Sequence, residues 1–100
     1  MEIITDERFK ALKNKSILVG LTYVHNDNSI SHRVEFLGTI IDLDNEGLVI
    51  KKDSDGDKFW LPPDNSAIQH APKGEYTLQT TGEVISNPDF MTIWTIDLQE

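Results

Sequence analysis

Asp53, Asp55 and Asp57 stand at alternate positions around a glycine in the stretch KKDSDGDKFW, Lys51 to Trp60. Alternate carboxylates are what a calcium loop of the EF-hand type offers at its first, third and fifth positions. Such a loop also needs glycine at the sixth position for a sharp turn and a bidentate glutamate at the twelfth, all between two helices. Here the sixth position is Lys58, the glycine comes two places early at Gly56, and the twelfth is Asp64, behind Pro62 and Pro63. Both flanks alternate like strands, and Asp-Gly is a hairpin signal. With Asp55 and Gly56 at the centre of a type I′ turn, Ser54 faces Asp57, Lys52 faces Phe59 and Ile50 faces Leu61. Leu48, Ile50, Phe59 and Leu61 then share one face, and Lys51, Lys58 and Trp60 share the other. The expectation is a turn, with no metal bound.

Two histidines, His25 and His32, flank the loop NDNSIS with Asp27 between them. A symmetric hairpin would set the imidazoles opposite each other, and histidine is the commonest metal ligand. A zinc site wants three or four ligands held by further hydrogen bonds, which this set does not provide. His70 stands in a proline-rich loop without a recognisable partner. None of the serines lies in a G-x-S-x-G setting, and neither a glycine-rich phosphate loop nor H-E-x-x-H occurs. With no cysteine in the chain, thiolate catalysis, disulfides and cysteine-ligated metals are excluded. The chain is expected not to be an enzyme and to need no cofactor.

Phosphate recognition requires a local excess of lysine and arginine. Arg8, Lys10, Lys13 and Lys15 oppose Glu2, Asp6 and Glu7 in residues 1–15, a net of +1, so residues 16–100 carry −9 of the total charge of −8. The basic start and Arg33 are the candidate nucleic-acid contacts, but the acidic body makes nucleic acid an unfavoured partner. Acidity also keeps a small protein soluble. The first residues lack a basic region followed by an apolar run, and no segment approaches the ~20 apolar residues of a membrane span. A soluble, cytoplasmic protein without a membrane partner is expected.

The elements that must position these groups follow from periodicity. TDERFKALKNK reads as a short helix capped by Thr5, with acids in its first turn, lysines toward its end, and Phe9 and Leu12 on one face. From Ser16 the period becomes two. SILVGLTYV places Ile17, Val19, Leu21 and Tyr23 on one side and Leu18, Thr22 and Val24 on the other. RVEFLGTIIDL places Val34, Phe36 and Ile40 opposite Leu37, Ile41 and Leu43. Gly20 and Gly38 inside these strands suggest bulges or bends. DNEG, Asp44 to Gly47, suits a type I turn closed by a left-handed glycine and leads into LVIKK. A loop with three prolines follows, holding a short strand or a turn of helix at SAIQ. EYTLQT and EVIS form a hairpin around TTGE or one strand interrupted there, and FMTIWTIDL is a last strand with Met91 and Ile93 opposite Trp94, Ile96 and Leu98.

A helix followed by a strongly bent five-stranded meander resembles the Sm-like and SH3-like small barrels, over roughly residues 5 to 72. The resemblance implies a mainly β fold: an N-terminal helix (1–15), an antiparallel barrel meander (16–72) and a C-terminal strand extension (73–100), together one domain. Sm-like proteins bind RNA through an aspartate and asparagine pair and an arginine–glycine pair. Asp44 and Asn45 match the first, and no arginine–glycine pair occurs. The fold is therefore carried over and the RNA site is not. The expected function is that of a small acidic protein-interaction module. It would either self-assemble through strand edges or dock on a basic protein, as an immunity protein does with a basic toxin. An RNA-binding barrel using the N-terminal helix and a ligand-binding or enzymatic barrel around His25 and His32 are the alternatives. Trp60 is a natural interface anchor, because tryptophan is enriched among binding hot spots; otherwise the C-terminal segment covers it. Trp94, Lys51 and Lys58 complete the candidate interface.

Overall fold

The computed structural model describes residues 1–99 and is mainly β, with one short α-helix. Helix α1 (Asp6–Leu12) starts at Thr5, whose hydroxyl accepts the Arg8 N–H at 3.1 Å, as the cap residue type predicts. Its buried residue Leu12 enters the main core, with Phe9 packed beside it. The strands are β1 (Ser16–Val24), β2 (Ile30–Asp44), β3 (Gly47–Lys52), β4 (Lys58–Leu61), β5 (Gln69–His70), β6 (Glu75–Thr77), β7 (Val84–Ser86) and β8 (Phe90–Asp97). A 3₁₀ turn, Asn65–Ala67, precedes β5.

Six strands form one sheet in the order β4-β3-β2-β1-β8-β5, while β6 and β7 pair as a separate hairpin. The sheet is not closed, because β4 and β5 lie at its two ends and do not bond to each other. Nor is it wholly antiparallel: β8 runs parallel to β1, with Ile17 opposite Phe90 and Val24 opposite Asp97. An antiparallel barrel was the expectation. The difference arises because the chain leaves β5, crosses through the β6–β7 hairpin, and re-enters beside β1 in the direction of β1. A short strand does form near AIQHA, but β8 stands between it and β1.

The alternation expected in β1 divides two cores. Ile17, Val19 and Leu21 join Phe36, Ile40, Leu48, Ile50, Leu61 and Phe90 in the main cluster. Leu18, on the opposite face, meets Leu78 and Ile85 of the hairpin region, with Leu37, Tyr76 and Met91 around them. Side chains of β4 and of β8 thus share one core although neither strand touches the other in the ladder. The sheet curls around that core.

The bends are not all where the glycines suggested. A bulge falls at Ile41, between the Ile40–Ile50 and Asp42–Val49 pairs, and the one extra residue reverses the parity beyond it. Leu43, expected opposite Ile40, therefore joins the same core. A second irregularity, between Tyr23 and Val24, makes Ser31 the extra residue of β2. Gly38 answers a different need: a Cβ there would lie 2.9 Å from the Lys51 carbonyl oxygen, so β3 approaches β2 too closely for any side chain.

The β3–β4 hairpin forms, with its register moved by two residues. Ile50 faces Phe59, Leu48 faces Leu61, and Val49 faces Trp60. The loop is four residues, not two, since the Asp57 carbonyl accepts the Lys52 N–H at 2.8 Å and the Gly56 N–H returns to the Lys52 carbonyl at 2.9 Å. Asp53 leaves the ladder because its N–H bonds the Leu37 carbonyl, and the Asp55 carboxylate takes the Asp57 N–H. A shift of two preserves the faces, so the sorting of Leu48, Ile50, Phe59 and Leu61 from Lys51, Lys58 and Trp60 holds. At the other turn Gly47 is at φ +138°, where an added Cβ would collide with the Leu61 carbonyl oxygen. Among the described residues no helix is long and apolar enough to cross a membrane.

Candidate functional site

A curled sheet that stops short of closure leaves a seam between β4 and the part of β8 that β5 does not cover. Here the seam is a cleft of about 380 Å³. Phe59, Leu61 and Pro62 line one wall, Trp94 and Ile96 the other, and Leu21 of β1 the floor, with Asp97 at the rim. The walls are apolar because these are core-facing positions of β4 and β8 that the missing closure leaves partly uncovered. Two polar atoms on β8, the Thr92 hydroxyl and the Trp94 indole N–H, are buried without a hydrogen-bond partner among the described residues.

The backbone groups at the seam follow from the ladder. The Leu98 N–H donates to the Val24 carbonyl at 2.9 Å, toward β1, whereas the Asp89 carbonyl accepts from Ala71 on the other side at 3.2 Å. Alternation along a strand then turns the even positions of β8 toward β1 and the odd positions away. Strand β5 meets that outer edge only opposite Phe90 and Met91. Ile93, Thr95 and Asp97 consequently present N–H and C=O groups to a side where no strand lies among the described residues. Ile93 is also 70% exposed, an apolar side chain on an open edge.

Trp60 sits on the outer face of β4 opposite Val49, which is 2% exposed, while its own exposure is 40%. Its indole N–H donates to Asp44 Oδ2 at 3.1 Å. That bond, with the Glu46 and Gly47 N–H groups and the charge of Lys58, holds the Asp44 carboxyl below the usual carboxylate range. Lys51 and Lys58 are cross-strand neighbours on the same face, both exposed. Trp94, in contrast, points to the core face of β8 and packs against the main cluster. Of the four candidate interface residues, Trp60 and Trp94 line the cleft from opposite faces of the sheet, and Lys51 and Lys58 do not line it.

The remaining candidates disperse. Arg8 is committed locally, its Nε donating to Asn65 Oδ1 at 2.9 Å and its guanidinium lying 5.7 Å from the Phe90 ring centre. Lys10, Lys13 and Lys15 are exposed at the end of α1. Arg33 pairs opposite Thr22, six residues along β1 from Ser16, about 20 Å from the helix end at 3.3 Å per residue. His32 stacks on Tyr23 with ring centres 4.5 Å apart, its Nδ1 3.0 Å from Ser31 Oγ. The bulge breaks the expected symmetry, so His25 closes its turn with Ser29 and not with His32. Asp53 accepts from Thr39 Oγ1 at 3.2 Å. Asp53, Asp55 and Asp57 are all exposed, and no group of three or more His, Asp or Glu side chains among the described residues is placed to hold a metal.

Ile93, Thr95 and Asp97 did not stand out in the sequence. One signal was available: FMTIWTID holds neither lysine nor proline, whereas KFWLPP holds both. No protein-family model, curated protein or solved structure matches this chain.

Proposed function

We propose that this chain is a protein-interaction module, built on the plan of a small Sm-like or SH3-like barrel with its last closure left open. The observation that supports this reading is the seam, an apolar cleft bordered by the unpaired edge of β8. An open edge is a template for another chain, and the apolar walls add burial to the hydrogen bonds it offers. Nucleic acid fits less well. The cations are spread between the α1 region, β2, the β3–β4 hairpin and the β5–β6 loop, and residues 16–100 carry −9.

The test is light scattering over a range of concentrations, at low and high salt, together with quantitative capture from cell lysate. Wild type, Trp60→Ala and Ile93→Asp are compared, one change on each side of the seam. A defined oligomer supports the reading, as does a protein retained by wild type and lost with either variant. A monomer that retains nothing beyond what both variants retain rejects it.

A further inference from the structure

We infer that the outer edge of β8, from Ile93 to Asp97, receives an extended, basic strand from a partner protein, which lies along the seam and extends the sheet from β8. This rests on the interaction-module reading above and specifies its partner.

The two borders of the seam are treated differently by the sequence. Alternation from the Lys52–Asp57 bond turns Lys58 and Trp60 outward on β4. Pro62 and Pro63 then follow, without N–H groups, and the Pro63 carbonyl is already taken by the Ile4 N–H at 2.9 Å. Lysine and proline on an edge are the usual protection against added strands. The β8 edge has neither, nor a bulge, and it exposes Ile93. One border is guarded and the other is receptive.

Side-chain direction specifies the occupant's pattern. A strand laid beside β8 alternates its side chains between the two faces. On the core face it meets Trp94, Ile96, Phe59 and Leu61, which calls for apolar residues. Its other face lies beside Ile93, Thr95 and Asp97, with Lys58 of β4 on the same face across the seam and Arg33 two strands from Thr95. Lysine or arginine is therefore called for at the Asp97 end, and the chain's net charge of −8 draws a basic strand to the edge as a whole. A second copy of this chain would bring another acidic body and a second Asp97 to the same edge, so charge complementarity favours a basic partner.

Proline at position 95 isolates the edge. The Thr95 N–H points away from β1, so Thr95→Pro removes a donor from the open side and leaves the β1–β8 ladder intact. The probe is a synthetic peptide alternating valine with lysine, at millimolar concentration, with a valine–glutamate peptide as the charge control. Amide resonances and hydrogen exchange are read by NMR. The lysine peptide is expected to shift the Ile93, Thr95 and Asp97 amides and slow their exchange about tenfold or more. The glutamate peptide leaves them unchanged, and Thr95→Pro, folded by its amide spectrum, loses at least about tenfold in peptide affinity.

No change at these amides with the lysine peptide overturns the proposal. So does an equal response to both peptides, an undiminished response in the proline variant, or self-association that already protects the edge. If the edge amides stay silent while capture still distinguishes wild type from Trp60→Ala, the strand-addition proposal fails and the module reading stands. If both measurements are blank, both fail.

Discussion

The indole N–H of Trp60 reaches Asp44 Oδ2 at 3.1 Å, tying the outer face of β4 to the turn that joins β2 to β3. Its cross-strand neighbour is Val49, an outward-facing residue of β3 that is nonetheless buried. Trp60 is thus held to the fold by its N–H and left partly exposed.

Replacing Trp60 with alanine removes the side chain opposite Val49 and one hydrogen bond to the Asp44 carboxylate, which keeps those from the Glu46 and Gly47 N–H groups. A buried tryptophan costs ~3–5 kcal/mol on truncation, and this half-exposed one is expected to cost about 1–2 kcal/mol. Thermal denaturation followed by circular dichroism should show a cooperative transition at lower temperature. A loss comparable to that of a buried tryptophan would place the ring in the core and remove it from the interface.

The two strand glycines separate cleanly. At Gly20 an added Cβ meets only Ile93 Cγ1, at 3.8 Å, so Gly20→Ala should change stability by no more than ~0.5 kcal/mol. At Gly38 it meets the Lys51 carbonyl, and the backbone must move, so Gly38→Ala should cost about 1–3 kcal/mol. Chemical denaturation of the two variants side by side decides whether close approach at Gly38, and not glycine as such, shapes the sheet.

Thr92 is 2% exposed and its hydroxyl has no partner among the described residues. An unsatisfied buried hydroxyl carries a desolvation cost that an isosteric methyl does not. Thr92→Val should therefore stabilise the protein by about 1 kcal/mol, a rise in melting temperature of about 4–8 °C. A destabilised variant would mean that the hydroxyl does have a partner in solution.

Acid should loosen the joints that carboxylates make. Backbone and side-chain donation from Ser16 holds the Asp89 carboxyl below the usual range, tying the start of β8 to the start of β1. The Ser66 hydroxyl, with the Ser66 and Glu2 N–H groups, does the same at Asp64. Both folded-state values are depressed, so the unfolded chain takes up protons first as pH falls. Their contribution is fully present above the unfolded carboxylate range, about pH 4, and is lost as pH drops through the folded-state values. Denaturation midpoints measured from neutral to strongly acidic pH should fall below about pH 4. The fall should be shallower in Asp89→Asn.

The sequence by itself determined most of what depends on neighbours along the chain. Thr5 as the cap of α1, the two faces of β1, the hairpin around Gly56 and the last strand from Phe90 follow from period, capping and turn chemistry acting over a few residues. Even the β3–β4 register error left the core residues on the correct face, because a shift of two conserves the pleat. Only the tertiary structure decided the order of strands. FMTIWTID reads the same whether it runs parallel or antiparallel, central or at an edge, since alternation reports faces and not neighbours. The parallel placement of β8 beside β1, the parity reversal at Ile41 and the open seam between Leu61 and Ile96 are outcomes of how far the whole sheet curls. Close approaches such as Gly38 to Lys51 and packing between distant strands join parts of the chain far apart in sequence, and neither leaves a mark on any one stretch of it.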